Sequence, residues 1–282
     1  MAAAETTTAL PEFTTTVLPS NGQVCSQFSQ GTEAPPAASL AAMKADLAAI
    51  PAWSGAPFPT DEFLLMFLRA EVFSPSAAAN RYRKFWKAKI TLCGEENAAL
   101  PIKFEDARAA LESEFVQLVP GTRDIEGRQA RVVMIVSSNM DKTLERRLRL
   151  LSVWYVMLAA LEDVETQRRG FCFVGYQKAV KRSQADPTFV KMVMQSLQGA
   201  LPVRIGSINI CYPPTFFRVV WAVISPFLHE RVKRRVRVIP GTDAEVLGVL
   251  GAIVPPDGLP PPMGPKTKEF SAWLAEQAQK DA

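Results

Sequence analysis

The sequence has little of what catalytic and metal sites usually require. Its 282 residues include one histidine, His229, so a Ser-His-Asp triad or a multi-histidine metal site would depend on that residue alone. No P-loop, GxGxxG or GxSxG motif is present. No plausible nucleophile lies near His229 in sequence, which is typical of a histidine on the surface or at a helix end. We therefore expect no catalytic residue, no metal ion and no cofactor, and the chain is predicted not to be an enzyme.

Cysteine is scarce and widely spaced. The four cysteines are Cys25, Cys93, Cys172 and Cys211, and no pair has the CxxC spacing of a zinc finger or a thioredoxin-type motif. Free thiols in a reducing compartment are expected. Residues 1–43 contain no Lys or Arg, so they lack the charged region of a signal peptide and the arginines of a mitochondrial presequence. The predicted location is the cytosol.

Long apolar runs and a strong surplus of one charge are absent too. The longest uncharged apolar stretch, Leu150 to Leu161, has twelve residues, whereas a membrane-spanning helix needs about twenty. The net charge of +4 is too small by itself to indicate nucleic acid. With 48% hydrophobic and 21% charged residues, the composition is that of a soluble globular protein of one large domain or two modest ones. We expect a monomer with no nucleic-acid partner.

The first hundred residues read as a polar tail followed by helices. Residues 1–38 are rich in Ala, Thr, Ser, Gln and Pro without apolar periodicity, which predicts a mostly disordered tail. Helices are predicted over Ala38–Ile50, after the capping residues Thr60 and Asp61, and from Ser74-Pro75. These segments indicate a small helical bundle.

The second part alternates between short apolar runs and longer helical patterns. Strands are predicted at Arg131–Val136, Phe171–Val174, Ser207–Cys211 and Val236–Ile239. Helices are predicted between them, at Leu144–Glu165, Ala185–Leu201 and Phe216–Val232. Strands alternating with helices are typical of an α/β domain with parallel strands and crossovers.

One segment is apolar on too many faces for an ordinary surface helix. FFRVVWAVISPFL, from Phe216 to Leu228, has apolar side chains around most of its circumference. Such a helix is either a fully buried core helix or the cover of something apolar that is not protein. Five basic residues in seven follow it, from Arg231 to Arg237. A solvated basic face explains such a run, but its junction with an apolar aromatic helix also fits an element that meets an anionic membrane.

Five motifs occur in the order typical of a known lipid-binding family. They are TDEFLLMFLRA at Thr60–Ala70, DIEGR at Asp124–Arg128, VETQRRG at Val164–Gly170, the segment Leu201–Arg235, and LPPPMG at Leu259–Gly264. In these motifs the chain resembles the CRAL-TRIO lipid-binding family, in particular the branch of the alpha-tocopherol transfer protein and cellular retinaldehyde-binding protein. The resemblance extends over residues 40–270 and identifies a family but no ligand.

The sequence departs from that branch at two positions that are basic there. Glu71 follows Arg69-Ala70 where the branch carries an arginine, and Gly206 stands where the branch has a basic residue two positions after the one matching Arg204. The branch uses both positions for phosphoinositide headgroups. The resemblance therefore implies headgroup contacts from the positions that remain basic, with poor phosphoinositide selectivity. Those positions are Arg204, Arg231, Lys233 and Arg235.

The resemblance implies an α/β fold in which a small amino-terminal helical bundle precedes a CRAL-TRIO domain. That domain would have a mostly parallel sheet and a mobile lid helix over an apolar cavity. The implied division is a tail at 1–38, a helical module at 39–100, the lipid-binding domain at 101–270 and a carboxyl-terminal tail at 271–282.

The implied ligand is hydrophobic and lies between the sheet and the lid. The residues expected to line the cavity are Val133, Ile135, Phe171, Phe173, Ile208, Ile210, Phe217, Val220, Trp221 and Ile224. The lid residues expected to meet a membrane are Phe216, Trp221, Phe227 and Leu228. Pro226 removes one helical hydrogen bond and is the expected flex point of the lid.

Two functions from different classes follow. The first is non-enzymatic binding and transfer of a small hydrophobic lipid, whether a phospholipid, a tocopherol-like or a retinoid-like molecule, with the lid opening at an anionic membrane. The alternative is an adaptor that kept the fold and binds a protein through its tail or through the proline-rich residues 255–265. PDGLPPPMGP contains a PxxP pattern that fits a polyproline ligand, and it also fits the closing loop of the family.

Overall fold

The computed structural model of the chain describes residues 37–49, 59–125, 129–265 and 269–281. The tail predicted at 1–38 lies outside these ranges except for its last two residues, which begin the first helix. Within the described ranges no helix combines the length and the apolarity needed to cross a membrane.

Four helices precede the sheet. They are α1 (Ala37–Ala48), α2 (Asp61–Ala70), α3 (Pro75–Cys93) and α4 (Phe104–Glu112). The predicted capping holds for α2, because the Thr60 hydroxyl accepts a hydrogen bond from the Phe63 amide at 3.2 Å. Pro75 occupies the first turn of α3, where its missing N–H costs nothing. The buried rings of Phe67, Tyr82 and Phe85 pack edge to face and join α2 to α3.

A five-stranded sheet in the order β1-β2-β3-β4-β5 follows. The strands are β1 (Val116–Arg123), β2 (Arg131–Val136), β3 (Phe171–Tyr176), β4 (Ile205–Cys211) and β5 (Val236–Ile239). Strands β2 to β5 run parallel, as predicted, and β1 pairs antiparallel with β2. Strand β1 was not predicted from the sequence, because Pro120, Gly121 and polar side chains interrupt its apolar pattern.

Each face of the sheet has its own core. On one face Val132, Met134 and Cys172 pack with Leu250 and Leu259. On the other, the core includes Val133, Phe171 and Phe173, and it is covered by helices that precede the sheet and by helices that alternate with its strands. The sheet is therefore buried on both sides, as parallel sheets require.

Two long helices predicted from the sequence are each divided. The first becomes α5 (Arg146–Ala160) and α6 (Val164–Arg169), because the Asp163 carboxylate caps the Glu165 amide at 3.0 Å and starts a new helix. The second becomes α8 (Phe217–Ile224), a 3-10 turn (Ser225–Phe227) and α9 (Glu230–Lys233). Pro226 has no amide hydrogen, and the α-helix ends before it, so Pro226 lies in the turn after the lid segment rather than inside one continuous helix.

The remaining helices are α7 (Pro187–Gln195), which continues as a π-helical turn (Ser196–Ala200), α10 (Asp243–Gly251) and α11 (Glu269–Lys280). Residues 271–282 were expected as a tail, but α11 extends to Lys280 and buries Phe270 and Leu274. The Asp281 carboxylate accepts hydrogen bonds from the Phe104 amide at 2.7 Å and the Tyr155 hydroxyl at 3.1 Å. The end of the described chain is thus fastened to the start of α4.

Candidate ligand cavity and lid

An apolar cavity of about 210 Å³ lies between the sheet and helices α5, α7 and α8. Its floor consists of two rows of paired residues near the carboxyl ends of the strands. The first row contains Phe173 and Ile208, and the second contains Ile135, Gly175 and Ile210. Gly175 leaves the centre of the second row without a side chain, which deepens the cavity at that point.

The walls and roof come from the helices. Val153 and Met157 of α5 and Phe189 and Val193 of α7 form the walls. The roof is α8, together with Leu228 beyond its end. We name α8 the lid helix and residues 225–229, which lead out of it, the exit segment.

The structure brings eight of the ten predicted cavity residues together around this space. They are Ile135, Phe173, Ile208, Ile210, Phe217, Val220, Trp221 and Ile224. Val133 and Phe171 do not line it, since both are fully buried in the packed core. Val133 pairs with Phe173 in the first row, and Phe171 lies nearer the amino end of β3. Strand alternation identified the correct face of the sheet, but it could not tell which positions on that face are covered by packed side chains.

One end of the cavity is polar, a feature that the sequence analysis missed. Ser137 follows β2 and Gln177 follows β3, so both lie where parallel strands end. Gln177 Nε2 donates to Ser137 Oγ at 2.7 Å. Within the described residues, the Ser137 hydroxyl hydrogen and Gln177 Oε1 make no hydrogen bond. Both remain available to a small polar group on a ligand.

Asp186 also reaches the cavity lining, but its carboxylate is fully occupied. It accepts hydrogen bonds from Arg146 at 2.9 Å, from Arg149 at 3.2 Å and from the Phe189 amide at 3.1 Å. Burial raises the pKa of Asp186, but the hydrogen bonds from Arg146, the Phe189 amide and Arg149 together lower it by more. The pKa therefore lies below its usual value. None of the described residues that line the cavity is Lys, Arg or His. The cavity thus offers no free charge to a ligand.

The lid helix has an apolar face on each side. Phe217, Val220, Trp221 and Ile224 face the cavity. Val219 and Val223 point outward with 61% and 49% of their surface exposed, and neither was among the predicted membrane-lid residues. Their spacing of four residues on one helical face is the signal that identifies them.

The four predicted membrane-lid residues divide between the two sides. Phe227 is 44% exposed and lies beside the outward face. Phe216 and Trp221 are half-buried and line the cavity. Leu228 is buried and lines the cavity as well, so Phe227 alone of the four lies on the outward side in this closed form.

The basic positions also divide by their contacts. Arg231 is exposed, while Lys233 forms an ion pair with Glu230 at 2.8 Å. Arg235 donates to the main-chain oxygen of Ile205, and Arg204 donates to that of Arg168 at 2.6 Å. Arg204 therefore holds a main-chain oxygen of α6, and Arg235 holds the main-chain oxygen of the first residue of β4.

The two departures from basic residues have structural explanations. Glu71 forms an ion pair with Arg81 of α3, at the side of α7. A Cβ on Gly206 would lie 2.9 Å from the main-chain oxygen of Phe171, so a larger residue requires the strand to shift. Glycine at this position allows close pairing with β3.

Comparison with known proteins agrees with this architecture. Residues 113–264, more than half of the chain, match the model of the CRAL/TRIO domain. The chain also resembles the Sfh5 crystal structure, with a TM-score of 0.50 at 12% identity, covering 90% of this chain and 100% of that one. A likeness at this identity concerns the fold.

Curated relatives share moderate identity with the chain. "Alpha-tocopherol transfer protein-like" of Homo sapiens is 28% identical over 183 residues, which are 62% of this chain and 51% of that protein. Clavesin-1 of Rattus norvegicus is 23% identical over 214 residues, which are 72% of this chain and 56% of clavesin-1. The chain thus spans about half the length of the curated relatives it matches.

Proposed function

Because the chain belongs to the CRAL/TRIO family, we propose that it binds one hydrophobic lipid in the cavity under the lid helix and transfers it between membranes. The proposal includes no chemical reaction, since none of the described residues lining the cavity is Lys, Arg or His and the Asp186 carboxylate is already paired with Arg149. The relative named for alpha-tocopherol transfer supports the same class of function.

The observation that carries the proposal is a helix that is apolar towards both the cavity and the solvent. Trp221 and Val220 cover the cavity, while Val219 and Val223 on the same helix face water. An outward apolar face is unfavourable in water and favourable in a bilayer. A lid of this kind suits a ligand that is nearly insoluble and must be exchanged at a membrane.

Burial of the ligand supplies the affinity. Each buried CH₂ stabilises the complex by about 0.8 kcal/mol, so a sixteen-carbon chain contributes on the order of 10 kcal/mol. A cationic rim favours anionic membranes, and Arg231 is exposed beside the exit segment. We place the membrane-facing surface at Val219, Val223 and Phe227 with this rim.

We extend the proposal to a neutral polar group on the ligand. A buried carboxylate or phosphate without a countercharge costs several kcal/mol. Among the described lining residues the cavity provides neutral polar side chains, those of Ser137, Gln177 and Gln184, and Arg149 already pairs with Asp186. A long-chain alcohol should therefore displace a bound fluorescent lipid more effectively than the fatty acid of equal length at pH 7. Equal displacement by the acid would contradict the assignment of the polar end.

The first experiment is extraction of the purified protein with organic solvent, followed by mass spectrometry of the extract. One lipid per chain is expected. The double variant Val220→Trp with Ile208→Trp fills the cavity from the roof and the floor, and should abolish lipid uptake while the fold survives.

The matched control is Val249→Trp, because Val249 is 38% exposed on α10 and lies on the opposite face of the sheet from the cavity. It adds the same side chain without filling the cavity, so lipid uptake should be retained. Uptake by the double variant at the level of this control would contradict the cavity as the ligand site.

The adaptor alternative is less well supported. Within residues 255–265 the side chains of Leu259 and Met263 are buried against the sheet. The Thr122 hydroxyl donates to the Gly258 main-chain oxygen at 2.7 Å. A segment packed in this way does not present a free polyproline helix to a partner.

A further inference from the structure

The exit segment is held by side chains from one neighbouring element, α7 with its π-helical turn. Gln198, in that turn, bridges two points of the exit segment. Its Nε2 donates to the Phe227 main-chain oxygen at 3.3 Å, and its Oε1 accepts from the His229 amide at 2.7 Å. The second Nε2 hydrogen bonds to the Met194 main-chain oxygen at 3.1 Å. The amide of Gln198 is therefore fully used, and two of its three bonds close the chain against α7.

Lys191 makes a second contact at the same place. Its ammonium group lies 3.8 Å from the centre of the Phe227 ring, over the ring face. A cation over an aromatic ring is attracted by the electrons of that face. Phe227 is thus held at its backbone by Gln198 and at its ring by Lys191.

The turn that carries Gln198 is itself fixed from the amino-terminal helices. Arg81 of α3 donates to the main-chain oxygens of Leu201 at 2.6 Å and Gln198 at 2.9 Å. Glu71 orients the Arg81 guanidinium through its ion pair. These bonds satisfy carbonyl groups in and just beyond the π-helical turn, and they keep the Gln198 side chain directed at the exit segment.

The other end of the lid helix is attached differently. The Tyr212 amide donates to the Ile239 main-chain oxygen at 3.1 Å, which extends the pairing of β4 with β5 past Cys211. The ring of Tyr212 also packs against Tyr176 at 5.4 Å. The chain leading into the lid is thus attached to the sheet by a main-chain bond. At the other end, the side-chain polar contacts are those of one amide and one ammonium group, in addition to the buried side chain of Leu228.

We propose that Gln198 is the positioning residue that keeps the lid closed, and that the lid opens from the exit segment while the Tyr212 end stays attached. This inference rests on the proposed function, because it concerns opening of the same cavity. When Phe227 enters a bilayer, its ring leaves Lys191, and the ammonium group turns to anionic headgroups. The bonds from Gln198 and the buried side chain of Leu228 then still hold the segment.

Amide hydrogen exchange of the ligand-free chain, without vesicles, tests the inference. Gln198→Met keeps the size of the side chain and removes both bonds to the exit segment. Exchange of the amides in residues 217–229 should rise about tenfold, as expected for the loss of two hydrogen bonds that together contribute about 1.4 kcal/mol. Gln195→Met is the matched control, because Gln195 is exposed on the same helix, and it should leave this exchange unchanged.

Strands β3 and β4 provide the internal reference. If Gln198→Met leaves the exchange of residues 217–229 at the level of the control, the inference is wrong. If exchange in β3 and β4 rises as much as in the lid, Gln198 stabilises the whole domain and the inference is equally wrong. Lys191→Met should also raise the amide exchange of residues 217–229, whereas Lys191→Arg, which keeps the positive charge, should leave it at the wild-type level. These variants test the same segment without altering Gln198.

A second readout separates this inference from the proposed function. Loss of a preloaded fluorescent long-chain alcohol, measured in buffer without vesicles, should be about tenfold faster from Gln198→Met than from the wild type. If no lipid probe binds the wild type, the proposed function fails. If the probe binds and leaves both proteins at the same rate, only the role of Gln198 fails.

Discussion

Asp186 is the residue at which the cavity, α5 and the start of α7 meet. Its side chain and that of Arg149 are each only 3% exposed, and Arg146 adds a second guanidinium from the surface side. Arg149 also lies over the Phe189 ring at 4.7 Å. One carboxylate therefore fixes the polar corner of the cavity wall, and it does so only while it is ionised.

Asp186→Asn should lower the free energy of unfolding at pH 7 by about 3 kcal/mol, because a buried Arg149 would lose its countercharge. The pKa of Asp186 is lowered in the folded protein. Its stabilisation is therefore present above the unfolded pKa of about 3.9 and is lost as the pH falls through the folded value. Urea denaturation at pH 7 and through an acid series should show the difference between wild type and variant narrowing with falling pH. A difference that stays constant down to pH 2 would contradict the role of the charge.

In the proposed function, the two sides of the lid helix have different roles. Its inward side covers the cavity through Val220 and Trp221, and its exposed outward side, with Phe227, would meet a bilayer. The basic residues that follow act over a longer range, since attraction between charges does not require insertion. Insertion and attraction are thus separable by mutation.

Phe227→Asp should weaken binding to neutral and to anionic liposomes, because it removes insertion. Arg231→Glu with Arg234→Glu should weaken binding to anionic liposomes only, by about fivefold for each positive charge removed, and raised salt should have the same effect. Both arginines are exposed, whereas Arg235 bonds to Ile205 and would confuse the result. Liposome co-sedimentation measures both effects.

Val249→Asp is the control for Phe227→Asp. Val249 is 38% exposed on α10, on the opposite face of the sheet, so an aspartate there should leave liposome binding unchanged. If both substitutions weakened liposome binding equally, the effect would come from the added negative charge in general. The exit segment would then not be part of the membrane-facing surface.

At the scale of the whole molecule, local patterns predicted the parallel strands and the amino-terminal helices. The apolar run RVVMIV and the Thr60 cap each depend on neighbours in sequence, and both appear as predicted. The family resemblance is confirmed by the match over residues 113–264. Strand β1 was missed, since its stability comes from pairing with β2 rather than from its own sequence.

The site was harder to predict because its features depend on distant contacts. The polar end joins Ser137 to Gln177, and the closure of the lid joins Gln198 to His229. Hydrophobic periodicity showed that α8 is apolar on most sides, but only the packed structure shows that Leu228 faces inward and Val219 outward. Pairings of this kind leave no periodic signal in sequence.

Phe227 and Leu228 are consecutive residues with opposite surroundings, one exposed and one lining the cavity. A backbone movement that carries Phe227 into a bilayer must also withdraw Leu228 from the cavity, because one peptide unit joins them. Exit of the lipid should then be much faster during an encounter with the acceptor membrane than in buffer alone. The initial rate of lipid transfer should increase in proportion to the concentration of acceptor vesicles. A rate independent of that concentration would mean that the lipid leaves through water before it meets a membrane.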